Sequence, residues 1–266
     1  MTIRLCLAGV TGWAGSALAR AVATAPDLEL VAAVSRTHAG KRVGDVLPEL
    51  GLDTPIYASA AEALTTRCDV FFEYTKPAVA KGNALTALAA GAHVVVGTSG
   101  LSDSDYEEIA SAAVAAGRGV LAVGNFAITV VLLQKFAEIA ARYIPSWEIV
   151  EYAHDGKIDA PSGTAREIAH RLSSVRPPHI KVPIDQTVGP HDARGADVAG
   201  SRVHSIRLPG YIISAEVIFG MPDQRLLLRH DAGSSAEPYV AGALLAIRQV
   251  GSFVGLRRGL DQVMDL

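Results

Sequence analysis

The sequence predicts an α/β protein of two domains, the larger built on a parallel sheet and the smaller an α+β domain. Three observations carry this. Short apolar runs alternate with helical runs over the first 123 residues, the pattern of a parallel sheet covered on both faces. A glycine-rich turn lies directly between the first strand and the first helix. The pattern then changes to a long helix, an isolated strand and a late group of strands. With 266 residues, half of them hydrophobic, the chain is long enough for one to two domains.

The elements follow in order. Ile3 to Ala8 is a short apolar run, and Ser16 to Ala25 is Ala-rich with helical spacing. Leu28 to Val34 is a second strand. Ala60 to Leu64 predicts a short helix, and Cys68 to Tyr74 a strand. Pro77 opens a helix ending near Gly91, with proline early and glycine just past the end. His93 to Val96 is a strand. Ser102 is placed as the N-cap of a helix running to Ala116, with an acidic first turn. Val120 to Val123 closes the alternating series. Thr129 to Tyr143 reads as one long helix, Trp147 to Tyr152 as a strand, and Ser162 to Leu172 as a helix. Residues 176–200 gather Pro, Gly and His without a clear period. Val203 to Arg207, Ile212 to Phe219 and Arg225 to His230 read as strands of an antiparallel sheet. An apolar helix over Pro238 to Val250 and a short terminal helix finish the chain.

Composition excludes several classes. Lys and Arg number 24 against 27 Asp and Glu, a net charge of -3, so no basic surface points to nucleic acid. No apolar run approaches the roughly 18 residues of a membrane span. Cys6 and Cys68, the two cysteines, sit in apolar runs and predict neither a disulfide framework nor a cysteine zinc site. His38, His93, His170, His179 and His191 share no ligand spacing, and no metal is expected. The chain opens directly into a strand, and a cytoplasmic protein is expected.

Gly9-Val10-Thr11-Gly12-Trp13-Ala14-Gly15 has the spacing G-x-x-G-x-x-G between strand and helix. Glycine lets the turn adopt unusual backbone angles, and lets a pyrophosphate approach the amides of the helix N-terminus. The larger domain is therefore read as a Rossmann dinucleotide-binding domain. The second strand ends in Ser35, Arg36 and Thr37, where an NAD enzyme usually carries a carboxylate for the ribose 2′-OH. A carboxylate would repel a 2′-phosphate and a guanidinium would hold it. NADPH is expected as cofactor, with NADH weaker. Trp13 packs either on the cofactor or on the domain interface.

The stretch Glu151-Tyr152-Ala153-His154-Asp155-Gly156-Lys157-Ile158-Asp159-Ala160-Pro161-Ser162-Gly163-Thr164-Ala165 places free amides and hydroxyls at a helix start, with Lys157 and His154 on the preceding turn. This is a site for a carboxylate. The stretch resembles the E-x-H-H-x-x-K-x-D-A-P-S-G-T-A signature of the dihydrodipicolinate reductase family. Glu73-Tyr74-Thr75-Lys76-Pro77, Gly97-Thr98-Ser99-Gly100 and Gly124-Asn125-Phe126 are similar to that family's D-F-T-x-P, G-T-T-G and A-N-F. The resemblance implies a Rossmann domain from both chain ends (1–123 and 231–266). It also implies a mixed-sheet substrate-binding and oligomerisation domain (124–230), a homotetramer, and Thr75, Gly97, Thr98, Ser99, Gly124, Asn125 and Phe126 at the cofactor. It places His154, Lys157, Gly163 and Thr164, with Ser162 beside them, at a dicarboxylate substrate.

The chain departs from the pattern in the second domain. Ala153 stands where the family has its proton-donating histidine, Ile213-Ser214-Ala215 stands for G-E-H, and the H-x-A-x-S-R run lacks its arginine at Ser235. The residues alone favour an NADPH-dependent reductase of a small carboxylate-bearing, cyclic imine or conjugated C=C substrate, with Lys157 as its catalytic residue. The second reading is the family's own reaction, 4-hydroxy-tetrahydrodipicolinate reduction in lysine and diaminopimelate biosynthesis. The third is a non-catalytic NADP-binding sensor or scaffold.

Overall fold

Runs of four to seven apolar residues, too short for stable helices, form buried strands, and Ala-rich segments between them form helices. The computed structural model describes residues 2–266. Its elements begin β1 (Ile3–Ala8), α1 (Trp13–Thr24), β2 (Leu28–Val34), α2 (Val43–Val46), β3 (Ile56–Tyr57) and α3 (Ala60–Ala63). They continue β4 (Val70–Glu73), α4 (Pro77–Ala89), β5 (His93–Val96), α5 (Asp103–Ala116) and β6 (Gly119–Ala122). Local chemistry sets the helix ends. Pro77 occupies the first turn of α4. Ser102 and Asp105 form a reciprocal capping box at the start of α5, and Gly117 ends it in the left-handed conformation.

The chain then enters a second compact unit, Thr129–Ser235. It holds most of α6 (Ile128–Tyr143), then β7 (Ser146–Ala153), α7 (Gly163–Val175), β8 (Ala196–Val198), β9 (Ser201–Arg207), β10 (Ile213–Met221) and β11 (Gln224–Ala232). The sheet order is β11-β10-β7-β9-β8. β10 pairs antiparallel with both β11 and β7, whereas β9 runs parallel to β7. The sheet is thus mixed. Of the three strands expected to form an antiparallel sheet, those over Ile212 to Phe219 and Arg225 to His230 pair so as β10 and β11, and the one over Val203 to Arg207 is corrected: β9 lies on the far side of β7 and runs parallel to it. The residues of β7 alternate, and Trp147 and Ile149 join Leu133, Ala137, Ile168, Leu172, Val217 and Phe219 in one core between the sheet and helices α6 and α7.

The chain returns to the first unit at Ala236, with α8 (Glu237–Gln249) lying against α1 and β12 (Gly255–Arg258) pairing parallel with β6. The seven-stranded sheet reads β12-β6-β5-β4-β1-β2-β3 and is parallel throughout. β12 has no counterpart in the sequence reading, and the expected terminal helix is a single 3-10 turn, Leu260–Val263. The core beneath α3, α4 and α5 is built from Phe71, Leu88, Val94, Ile109 and Val120. No helix among the described residues is long and apolar enough to cross a membrane.

Candidate functional site

In the first unit, every expected cofactor residue falls just beyond the carboxyl end of a strand, where open α/β sheets bind their ligands. Gly9, Thr11, Gly12, Trp13 and Ala14 follow β1 or open α1. Ser35, Arg36 and Thr37 follow β2, Thr75 follows β4, Gly97, Thr98 and Ser99 follow β5, and Gly124, Asn125 and Phe126 follow β6. The order places the break in the winding between β1 and β4.

The β1–α1 turn fits an anion. Gly9 sits at φ +85°, and a Cβ there would lie 2.2 Å from the carbonyl oxygen of Tyr74. The N-cap of α1 is Gly12, which offers no side-chain acceptor. The first amides of the helix are therefore open to an external acceptor such as a pyrophosphate. Trp13 packs edge-on against Tyr239 of α8 with ring centroids 5.7 Å apart, and the residue is 60% exposed.

Beyond β2, hydroxyls are drawn together. Ser35 Oγ lies 3.0 Å from Thr11 Oγ1 and 3.3 Å from Thr37 Oγ1. His38 Nδ1 lies 3.0 Å from Thr37 Oγ1. Arg36 is exposed beside them.

The loops after β4 and β5 are joined by Glu73, which is fully buried at the end of β4. Its Oε1 accepts from the Thr75 amide at 2.7 Å, from the Thr75 hydroxyl, and from Thr98 Oγ1 at 3.2 Å. Its Oε2 accepts from Asn83 Nδ2 at 2.7 Å. Burial pushes the Glu73 carboxyl above its usual range, against the pull of these neutral donors. Tyr74 is half-buried against Phe72 and Phe126, and desolvation drives its phenol well up. Phe126 is itself buried, and Asn125 Oδ1 accepts from the Ala127 amide at 2.9 Å, fixing the loop after β6.

In the second unit, the turn after β7 carries the residues expected to hold an anion. Ser162 caps α7: its Oγ accepts from the Ala165 amide at 3.2 Å, while its own amide donates to Glu151 Oε1 at 2.9 Å. Ser162 is buried, and the outward groups at this helix start belong to Gly163 and Thr164. Lys157 Nζ donates to Asp159 Oδ1 at 2.5 Å, and that hydrogen bond holds the Asp159 carboxyl below its usual value. His154 is exposed on the same turn.

Sequence reasoning missed what holds this turn. Arg207 Nη2 donates to Glu151 Oε1 at 2.7 Å and to the Asp159 carbonyl at 2.6 Å, and Ser205 Oγ donates to Glu151 at 2.6 Å. Burial pushes Glu151 up, but the hydrogen bonds from Ser162, Ser205 and Arg207 outweigh it and hold the carboxyl below its usual range. Neither Glu73 with Asn83 nor Glu151 with Arg207 has a local spacing signal. Each glutamate opens a motif quoted above, but neither motif names its partner. Ala153, at the end of β7, is fully buried. Among the described residues, no group of His, Cys, Asp and Glu could hold a metal ion.

The family model for the dihydrodipicolinate reductase N-terminus matches residues 3–126, and that for the C-terminus matches residues 129–264. The chain is 38% identical over 265 residues to a 4-hydroxy-tetrahydrodipicolinate reductase of Bacillus pumilus, covering 99% of this chain and 98% of the relative. The corresponding protein of Bacillus subtilis is 37% identical over 99% of this chain and 98% of its own length. A dipicolinate-bound dihydrodipicolinate reductase from Paenisporosarcina sp. superposes with a TM-score of 0.88 at 32% identity, covering 99% of this chain and 100% of that one. An amine dehydrogenase from Mycobacterium smegmatis shares the fold, with a TM-score of 0.66 at 16% identity over 97% of this chain and 95% of its own. The likeness to the reductases runs through both units, across the glycine turn and the Lys157 turn alike. On this ground the chain is an NAD(P)H-dependent oxidoreductase and belongs to the dihydrodipicolinate reductase family.

Proposed function

We propose that this protein reduces 4-hydroxy-tetrahydrodipicolinate with NADPH. The observation that carries the reading is the likeness to reductases of that name over 99% of the chain, with the Lys157 turn and the α7 start in place. The residues alone put a different cyclic imine first; the full-length likeness reverses that order. When bound, the dinucleotide supplies a hydride to an unsaturated bond of the substrate ring. Lys157 binds a substrate carboxylate as a point charge, with the Gly163 and Thr164 amides at the dipole end of α7 and His154 on the turn. The buried Ser162 fixes that helix start. Ala153 carries no proton, so Lys157 also delivers the proton that follows the hydride.

The cofactor preference rests on Ser35 and Arg36. No carboxylate follows β2, so a 2′-phosphate meets hydroxyls and a guanidinium. Arg36→Ala is expected to weaken NADPH binding about tenfold, the value of a charge-assisted contact, and to leave NADH nearly unchanged. Titration of each reduced dinucleotide by fluorescence checks this, and equal losses would overturn it.

The buried Ala153 keeps a second reading open, reduction of a related carboxylate-bearing imine. Following NADPH absorbance against 4-hydroxy-tetrahydrodipicolinate and a panel of cyclic imino acids separates the two. The highest kcat/KM is expected on 4-hydroxy-tetrahydrodipicolinate. A faster imino acid would replace that reading with the second.

A further inference from the structure

We infer that Glu73 is a positioning residue that fixes the hydrogen-bond polarity of Thr75 and Thr98, so that both hydroxyls recognise the carboxamide NH2 of the nicotinamide as acceptors. A threonine hydroxyl has one proton to donate and two lone pairs. Thr75 gives its proton to Glu73 Oε1, and Thr98 gives its proton to Glu73 at 3.2 Å to Oε1 or 3.4 Å to the carbonyl. The Thr75 amide also donates to Oε1, so that oxygen is an acceptor in either protonation state of the carboxyl. Toward any further partner, both hydroxyls offer only lone pairs.

Their place says which partner that is. The glycine turn follows β1 and the Ser35 cluster follows β2, on one side of the break in the winding. Thr75 and Thr98 follow β4 and β5 on the other side, where Glu73 pairs in register with Val96. A dinucleotide with its pyrophosphate at the turn and its adenosine ribose at β2 brings its other half to β4 and β5. The nicotinamide carboxamide is the group of that half with N–H donors to give. Glu73 is buried completely, and Asn83 occupies its second oxygen, so the carboxylate has no contact left for the ligand itself. Its influence passes through the two threonines.

The experiment compares NADPH with its reduced 3-acetylpyridine analogue, in which a methyl group replaces the NH2 and the carbonyl is kept. Dissociation constants are measured on the intact protein without substrate, so the outcome is independent of which imine is reduced. The parent is expected to bind NADPH roughly tenfold more tightly than the analogue, the scale of one hydrogen bond to a buried acceptor. Thr75→Val with Thr98→Val is expected to abolish that preference by weakening NADPH alone. Glu73→Gln is expected to retain it, because its amide nitrogen can face Asn83 with the Asn83 amide turned. Glu73→Leu, which frees the Thr75 proton and leaves Thr98 only the residue-73 carbonyl at 3.4 Å, is expected to weaken it. Equal binding of the two cofactors by the parent would overturn the inference, with no variant needed. So would a full preference in the double valine variant.

Discussion

Glu73 and Glu151 are both buried carboxylates near strand ends, yet their pKa values move in opposite directions. Glu73 meets only neutral donors and is pushed up by burial, whereas Glu151 has Arg207 among its donors and is held down. A carboxyl lowered on folding contributes stability that is present above the unfolded value, near 4.3, and lost as pH falls through the folded value. Arg207→Gln removes the charged donor and raises the folded value of Glu151. The acid-unfolding midpoint, followed by circular dichroism, is therefore expected to move to higher pH. Lys157 is a different kind of residue: its partner Asp159 is on the same turn, and nothing in the core depends on it. Lys157→Ala is expected to lower kcat/KM by at least about a hundredfold, the loss of a charged anchor of roughly 3 kcal/mol, with the NADPH dissociation constant unchanged. Near-parental turnover would remove Lys157 from the chemistry.

Among the elements, those set by apolar period and capping chemistry are legible in the sequence. The strands β1, β2, β4, β5 and β6 stand out as apolar runs, and α5 carries its cap in Ser102 and Asp105. The loops proposed to hold the cofactor are legible for the same reason, since each lies one step past a readable strand. β12 escapes because Gly255-Leu256-Arg257-Arg258 has a single apolar side chain; an edge strand needs no second buried face. The partner of β9 escapes because alternation fixes which face is buried and leaves the neighbouring strand open. The clamps Glu73–Asn83 and Glu151–Arg207 join residues 10 and 56 positions apart, beyond any local pattern. β7 shows what a buried strand end imposes. Ala153 is covered completely, and β10 and β9 flank it on either side. Ala153→His adds an imidazole to a filled position and is expected to cost about 1–3 kcal/mol, read as a fall in Tm. An unchanged Tm would show that the strand end has room for the histidine of the family pattern.

At the scale of the whole molecule, the five-stranded sheet ends in β11, an edge strand whose Leu226 and Leu227 are 40% and 55% exposed. Exposed apolar edges invite pairing with another chain. Together with the family resemblance this supports a homotetramer, and light scattering on the eluting protein is expected to give four times the 27.8 kDa chain mass. Charged substitutions at Leu226 and Leu227 are expected to lower that mass; a parental monomer would set the proposal aside. The seven-stranded sheet has a different consequence, for the order in which the protein is made. β12 pairs with β6, but the ribosome delivers it only after all of Thr129–Ser235 has emerged. During synthesis β6 is an open, apolar edge, and the contact that closes it spans a large sequence separation, which slows folding. The inserted unit is free to fold first, and the sheet it interrupts is completed last, by the same C-terminal segment that lays α8 on α1.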